Sequence, residues 1–330
     1  MRPDSIIATA TAFYESCVLF AASDLGVFAS LAARPNQDAT ALAAACRTDR
    51  RGTQLLLDAC VGLGLLTKTG ESYANTPKAA MFLVPGSPAD LSGAIRYNRD
   101  VYAAWGKLPE LVRTGQPVEK PELHLGEDKA RTRAFVLSMH GRAMGIGRAV
   151  VPMLDLSNRK RLFDVGGGPG TYSALIAGAN PQISCTVLDL PGIVAVADDL
   201  LAAQDLGGRV RTVAGDYHTA AFPRGMDAVI FFGVLHQESP ESIADLFRRA
   251  YDSLTPGGIV YVLDLMTDAT HTNPKFSALF AVNMALTTPN GWVFSDAELK
   301  GWLESAGFRG FTCRPVPPPM PHWLASATKA

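Results

Sequence analysis

The sequence predicts an α/β protein: a mostly parallel sheet with helices on both faces, preceded by a mostly helical N-terminal region. Three observations carry this. From Arg161 onward, short apolar runs alternate with helical stretches, the pattern of βαβ units. The run Leu162-Phe163-Asp164-Val165 breaks into Gly166-Gly167-Gly168-Pro169-Gly170, and a helix follows from about Thr171. Asp189 then closes the next strand, Thr186-Val187-Leu188-Asp189, 23 residues after Gly166. Strand, glycine turn, helix and an acid at the next strand tip together form a nucleoside-binding half-fold.

Residues 1–90 read as short helices. Ala10 to Leu31 is an alanine-rich helical stretch that offers Phe13, Cys17, Phe20, Leu25 and Phe28 for burial. Asp38 is a good N-cap for a helix that starts at Ala39. Another helix runs from about Arg50 through Gly62, and Leu65-Leu66-Thr67 with Glu71-Ser72-Tyr73 form a hairpin around Lys68-Thr69-Gly70. Helix, helix and β wing make a winged-helix pattern. Residues 91–155 are helical again, with a loop at Thr114–Gly126. The expected strands are Leu162–Val165, Cys185–Leu188, Val210–Ala214, Ala228–Phe232 and Ile259–Leu265, the last fed by a turn at Pro256-Gly257-Gly258. The proline-rich stretch Pro315 to Pro321 frames a final strand near Trp323–Ala325.

Composition bounds the function. The chain has 330 residues, 48% hydrophobic and 18% charged, which fits a globular protein of one large or two modest domains. A net charge of −1 recommends no polyanionic partner. Five scattered cysteines form no CxxC pair and no metal spacing, so they read as buried thiols in a reducing, cytoplasmic compartment. The N-terminus has no basic segment before an apolar core, and its greasiest stretch is cut by Glu15 and Asp24, so neither a secretory signal nor a membrane span is expected. A DNA-reading helix would show Arg, Lys, Asn or Gln on one face. The candidate, Gly52 to Gly62, is apolar and has no Arg or Lys, which favours a protein partner over nucleic acid.

The glycine loop suits one ligand class better than another. GxGxxG needs a third glycine for helix packing, and that position is Thr171 or Ser173. Asp164 sits in the strand just before the turn and would repel a pyrophosphate. S-adenosylmethionine carries a sulfonium and an ammonium group and no phosphate, so it fits. Further acids and a histidine stand at later strand ends, where such folds bind ligands. Asp216 can accept the adenine amine and Tyr217 can pack on the ring. His236, just past the fourth strand, is a natural general base. Asp264 lies in the otherwise apolar fifth strand. A buried acid is costly unless paired, and the His236 ring is its expected partner.

Taken together, these pieces resemble the plant-type small-molecule O-methyltransferases and their bacterial relatives, which act on hydroxyindoles, phenazines, polyketides and carotenoids. Asp164-Val165-Gly166-Gly167-Gly168 is similar to that family's first motif, and Ala104-Trp105-Gly106-Lys107-Leu108 through Arg113-Thr114-Gly115 looks like the segment ahead of the bacterial catalytic domains. The resemblance implies three regions. Residues 1–90 form a winged-helix dimerisation domain that makes a homodimer, and 91–155 a helical linker contributing to the acceptor pocket. Residues 156–330 form a Rossmann-like domain with a mostly parallel seven-stranded sheet that binds S-adenosylmethionine and releases S-adenosylhomocysteine. By position, Gly166 and Gly168 approach the methionine moiety, Asp189 and Leu190 hold the ribose, Asp216 and Tyr217 hold the adenine, and Phe232 stands where plant members place a lysine near the cofactor. His236 takes the base position, and Asp264, 28 residues later, the place of the acid that orients it. Trp105, Phe135, Met139, Met284 and Thr288 fall where the family lines its acceptor pocket. Two departures matter: Gln237 follows His236 where the family has Asp, and Val293 stands where a second acid would flank the base.

The expected reaction is methylation of a phenol or enol hydroxyl on an aromatic or polyketide-like molecule. Alignment of the acceptor with an activated methyl supplies roughly 7–11 kcal/mol. A phenol near pKa 10 facing a histidine near 6.5 is about 5 kcal/mol uphill, which disfavours aliphatic alcohols further. Two alternatives keep the scaffold: methylation of nitrogen or carbon, or non-methylating chemistry on the same cofactor. No metal constellation is visible in the sequence.

Overall fold

The computed structural model describes residues 3–87, 89–119 and 128–330. The chain divides into two compact units, Met1–Asp100 and Val101–Ala330. The division falls inside one helix, α7, Ser92–Trp105.

The first unit begins with three helices where the sequence reads as one stretch: α1 (Asp4–Thr11), α2 (Phe13–Asp24) and α3 (Val27–Ala33). Gly26 causes the second break, because its φ of 71° is left-handed and cannot continue a helix. A two-residue strand β1 (Gln37–Asp38) leads into α4 (Ala39–Cys46), where the Asp38 side chain accepts from the Ala41 N–H at 2.8 Å, as an N-cap should. Asp49 caps α5 (Arg50–Gly62) in the same way. The hairpin is β2 (Leu66–Thr69) and β3 (Ser72–Asn75), so Lys68 and Thr69 belong to a strand and the turn is Gly70-Glu71. The hairpin gains a third strand through pairing of β1 with β3. Helix α6 (Pro77–Phe82) follows. Phe28, Leu31, Leu42, Leu57, Cys60 and Tyr73 form the core. Ile6, Ile7, Phe13 and Tyr14 on α1 and α2 and Leu55 on α5 remain exposed. Residues Asp4–Asp24 are apolar and long enough to cross a bilayer by length and composition, but they form two helices and carry Asp4, Glu15 and Asp24.

The second unit opens with the end of α7, then α8 (Leu108–Thr114) and the long α9 (Lys129–Val150). Thr114 thus ends a helix instead of opening a loop, and 120–126 of the expected loop lies outside the described residues. The unit then alternates β4 (Arg161–Val165), α10 (Thr171–Ala179), β5 (Ser184–Asp189), α11 (Pro191–Ala202), β6 (Val210–Ala214), β7 (Met226–Phe232), α12 (Pro240–Ser253) and β8 (Leu254–Asp264). Helices α13 (Lys275–Thr287) and α14 (Asp296–Ser305) and strands β9 (Phe308–Pro315) and β10 (Trp323–Lys329) complete it.

The sheet has seven strands in the order β6-β5-β4-β7-β8-β10-β9. The first five run parallel, and β10 is antiparallel to both neighbours. The order reverses between β4 and β7, the crevice where open α/β sheets take ligands. Both faces are buried: Leu162, Ile230 and Tyr261 enter one core, and Phe163, Val229, Phe231 and Val260 the other. That is why these strands read as continuous apolar runs.

Two details differ from expectation. Pro256-Gly257-Gly258 does not precede β8 but bulges within it, since Met226 pairs with Leu254 and Ala228 with Ile259. Strand β9 was not foreseen. It is a sheet edge with mostly exposed residues, so it lacks the apolar run that marks the central strands.

Candidate active site

The loop after β4 is shaped by what surrounds it. A Cβ on Gly166, whose φ is 64°, would lie 2.3 Å from Val234 Cγ2 and 3.4 Å from Tyr217 Cε1. One on Gly167 would lie 2.6 Å from Asp164 Cγ and 2.7 Å from Val187 Cγ1. Gly168 differs: its φ is 55°, yet a Cβ there would meet nothing within 4 Å, so open space lies over it. The loop's glycines therefore serve packing at 166 and 167 and backbone shape at 168. Asp189 ties the loop to β5. Its Oδ2 accepts from the Gly168 N–H and its Oδ1 from the Leu190 N–H, each at 2.7 Å. Burial raises its carboxyl above the usual range, and these two N–H groups work against that rise.

Asp164 is 0% exposed. The Ser173 hydroxyl donates to its Oδ2 at 2.7 Å, while Oδ1 has no protein partner among the described residues. Burial pushes this carboxyl up to about 7, with the nearby Asp189 adding to the rise. An orphaned carboxylate oxygen beneath a loop free of side chains fits a ligand that brings a cation. The donor set thus agrees with S-adenosylmethionine and not with a pyrophosphate.

The loop after β6 carries a polar network that the sequence reading missed. Asp216 Oδ1 contacts His218 Nδ1 at 2.7 Å, and His218 Nε2 contacts Glu238 Oε2 at 2.8 Å. The Tyr217 hydroxyl donates to Glu238 Oε1 at 2.6 Å and accepts from the Gln237 amide at 3.1 Å. Ser242 also donates to Glu238, and the Trp292 indole N–H donates to its backbone carbonyl. Glu238 is only 4% exposed, and these partners make its burial tolerable. Gln237, in place of the family's acid, supports Tyr217. Tyr217 lies with its ring against Gly166 and its hydroxyl fixed.

His236 stands on the 3-10 turn Leu235–Gln237 after β7. Its Nδ1 is 2.7 Å from Asp264 Oδ1, and its side chain is 13% exposed. The Leu265 N–H donates to the same Asp264 oxygen at 2.8 Å, and Oδ2 has no partner among the described residues. The Phe280 ring meets His236 edge-on at 5.3 Å, and Trp292 N–H donates to the His236 carbonyl at 2.9 Å. A neutral imidazole held this way donates from Nδ1 and offers its Nε2 lone pair. Val293 is buried with Leu265, Phe280 and Met284, so an apolar cluster occupies the place of a second acid.

The remaining candidates separate. Met284 and Thr288 stand near the C-terminal end of α13, with Met284 in the Phe280 cluster and the Thr288 hydroxyl donating to the Met284 carbonyl. The Trp105 indole N–H donates to Asn283 Oδ1 on the same helix at 3.0 Å. Phe135 instead packs with Ile193, Val196 and Leu190, on the Asp189 side. Met139 is half-buried one turn further along α9. Phe232 is buried in the core and meets the Tyr172 ring edge-on at 5.1 Å.

An O-methyltransferase domain matches residues 121–309, and an O-methyltransferase dimerisation domain matches residues 7–85. The segment weighed as a DNA reader lies inside the latter. The chain is 32% identical over 309 residues to 3-hydroxy-5-methyl-1-naphthoate 3-O-methyltransferase of Streptomyces sahachiroi, covering 92% of this chain and 89% of that one. It is 31% identical over 314 residues to the tetracenomycin polyketide synthesis 8-O-methyl transferase TcmO of Streptomyces glaucescens, covering 93% and 91%. Among solved structures, human N-acetylserotonin methyltransferase in complex with SAM superposes with a TM-score of 0.90 at 29% identity, covering 99% of this chain and 97% of that one. With the domain match, these relatives and a site suited to a sulfonium ligand, the chain belongs to the O-methyltransferase family and is an S-adenosylmethionine-dependent O-methyltransferase.

Proposed function

We propose that this enzyme methylates a phenol or enol hydroxyl on an aromatic or polyketide-like small molecule, with His236 as general base. One observation carries the reading: the 2.7 Å contact between His236 Nδ1 and Asp264 Oδ1, which leaves Nε2 as the acceptor of a proton. The two relatives named for naphthoate and tetracenomycin chemistry support the acceptor class. S-adenosylmethionine, when bound, supplies a methyl group already activated by its sulfonium charge. Asp164 faces its cationic end, Gly168 leaves open space for it while Gly166 is packed against Val234 and shapes the loop, Asp189 and Leu190 take the ribose, and Asp216 and Tyr217 border the adenine, with Phe232 a core residue near the cofactor. Trp105, Met139, Met284 and Thr288 bound the acceptor, while Phe135, packed beside Ile193 and Val196, stands on the ribose side and not in the acceptor lining. His236 holds the acceptor hydroxyl and takes its proton as the oxygen attacks, and Asp264 stabilises the imidazolium that forms.

The enzyme works as a cytoplasmic homodimer. The exposed Ile7, Phe13 and Tyr14, within the dimerisation match, with Ile6 just ahead of it, supply the apolar face. Sedimentation velocity of Phe13→Glu reads this, and an unchanged sedimentation coefficient would count against it.

The test of function is a mass-spectrometric screen with methyl-labelled donor against naphthols, hydroxynaphthoic acids and polycyclic phenols. Labelled methyl ether and S-adenosylhomocysteine should form together. Transfer to amines or carbon acids alone, with no phenol or enol methylated, would sink the reading.

A further inference from the structure

Among the described residues, Arg142 on α9 is a half-buried cation without an anion. Among those residues its guanidinium makes no hydrogen bond and no ion pair. Its guanidinium instead faces an aromatic ring: Cζ lies 5.8 Å from the centroid of the Phe280 ring. The same ring meets His236 edge-on at 5.3 Å. The guanidinium and the base thus contact the same aromatic ring. A second group on this side is also incompletely paired. His322, just ahead of β10, is 8% exposed, and its Nδ1 has no partner among the described residues. Burial pushes His322 down to about 4, with the Arg142 charge adding to the fall, so it stands neutral near Arg142 at working pH.

A guanidinium taken partly out of water and left without a carboxylate is costly unless a ligand completes it. His140, two residues earlier on α9, contacts the Thr171 hydroxyl at the start of α10 at 2.7 Å, on the glycine-loop side. Arg142 contacts α13, the helix that carries Met284 and ends beside Thr288, and its charge also reaches Tyr172 at the start of α10.

We infer that Arg142 anchors a carboxylate on the acceptor, so that the preferred substrate is an aromatic hydroxy acid whose carboxylate pairs with Arg142 while its hydroxyl meets His236. A planar, always charged fork suits a carboxylate on a flat ring better than a lysine would. The inference rests on the reading of His236 as the base that faces the acceptor, and it adds the acceptor's charge.

Binding separates the two claims. The protein saturated with S-adenosylhomocysteine is titrated with a hydroxynaphthoic acid and with the corresponding naphthol that lacks the carboxyl group. Wild type should bind the acid about 10- to 100-fold more tightly. Arg142→Gln should collapse that ratio while S-adenosylhomocysteine affinity stays unchanged, and Arg142→Lys should restore part of it. Equal affinities in wild type, or a ratio that survives Arg142→Gln, overturn the inference. Loss of S-adenosylhomocysteine binding in Arg142→Gln also overturns it, because the arginine then serves the cofactor. Tight, Arg142-dependent binding without methyl transfer leaves the anchor standing and removes the base assignment instead.

Discussion

Asp264 Oδ1 receives two donors, His236 Nδ1 at 2.7 Å and the Leu265 N–H at 2.8 Å. The second bond locks the carboxylate in place, and the first locks the imidazole against it. A carboxylate only accepts, so a neutral imidazole donating to it carries its proton on Nδ1 and its lone pair on Nε2. His236→Ala should lower kcat by about 10²–10⁴-fold with no change in S-adenosylhomocysteine affinity by calorimetry. Asp264→Asn should lower kcat by about 10²-fold or more, again without loss of cofactor affinity. Full turnover in either variant excludes that residue from the proton path.

Gly166 and Val234 belong to different loops but share one space, since a Cβ on Gly166 would approach Val234 Cγ2 to 2.3 Å. Gly166→Ala should destabilise the fold by about 1–3 kcal/mol through steric overlap and left-handed backbone strain at φ 64°. Adding Val234→Ala should recover part of this loss, because it relieves the clash and leaves the strain. Urea unfolding of the two variants measures the difference, and no recovery would show that strain alone governs the position.

Asp164 is pushed up to about 7 by burial, above its ordinary 3.8. Between those values the unfolded chain has released the proton and the folded chain retains it. This group's contribution to stability therefore declines as pH rises through that window and stays low above it. Asp164→Asn should raise the Tm of the cofactor-free enzyme by a few degrees at pH 8, with little effect near pH 4. The same change should weaken S-adenosylmethionine binding by about 10- to 100-fold. A variant that binds as well as wild type would show that Asp164 does not face the cationic ligand.

His218 sits between Asp216 and Glu238. Burial opposes its charge, but the hydrogen bonds to Glu238 and Asp216 outweigh burial and raise it above its ordinary 6.5. The ion-pair contribution is therefore fully present below pH 6.5 and fades as pH rises through the raised value. His218→Gln should lower Tm most at pH 6 and least at pH 9. A Tm difference that is flat across this range would mean the clamp carries no charge.

Much of the architecture was legible because the forces that mark it are local. A strand buried on both faces must be apolar throughout, so β4, β5, β7 and the second half of β8 announce themselves in the sequence. Asp38 is a cap by residue type and position alone. Edge strand β9 stayed hidden because its exposed Arg309, Thr312 and Arg314 interrupt any such run. The bulge in β8 also stayed hidden, because a proline and two glycines mark a turn equally well outside a strand and within it.

The site divides along the same line. Chain order alone supplied the glycine loop, the acid at Asp189, the histidine after β7 and the acid in β8, because parallel strands deliver their C-terminal ends to one rim. Tertiary structure decided which side chains meet there. It set Val234 over Gly166, closed His218 between Asp216 and Glu238, filled the place of a second acid with the Val293 cluster, and put Arg142 over the Phe280 ring. Those outcomes depend on contacts between residues far apart in the chain, whose distances are set only when both faces of the sheet are packed.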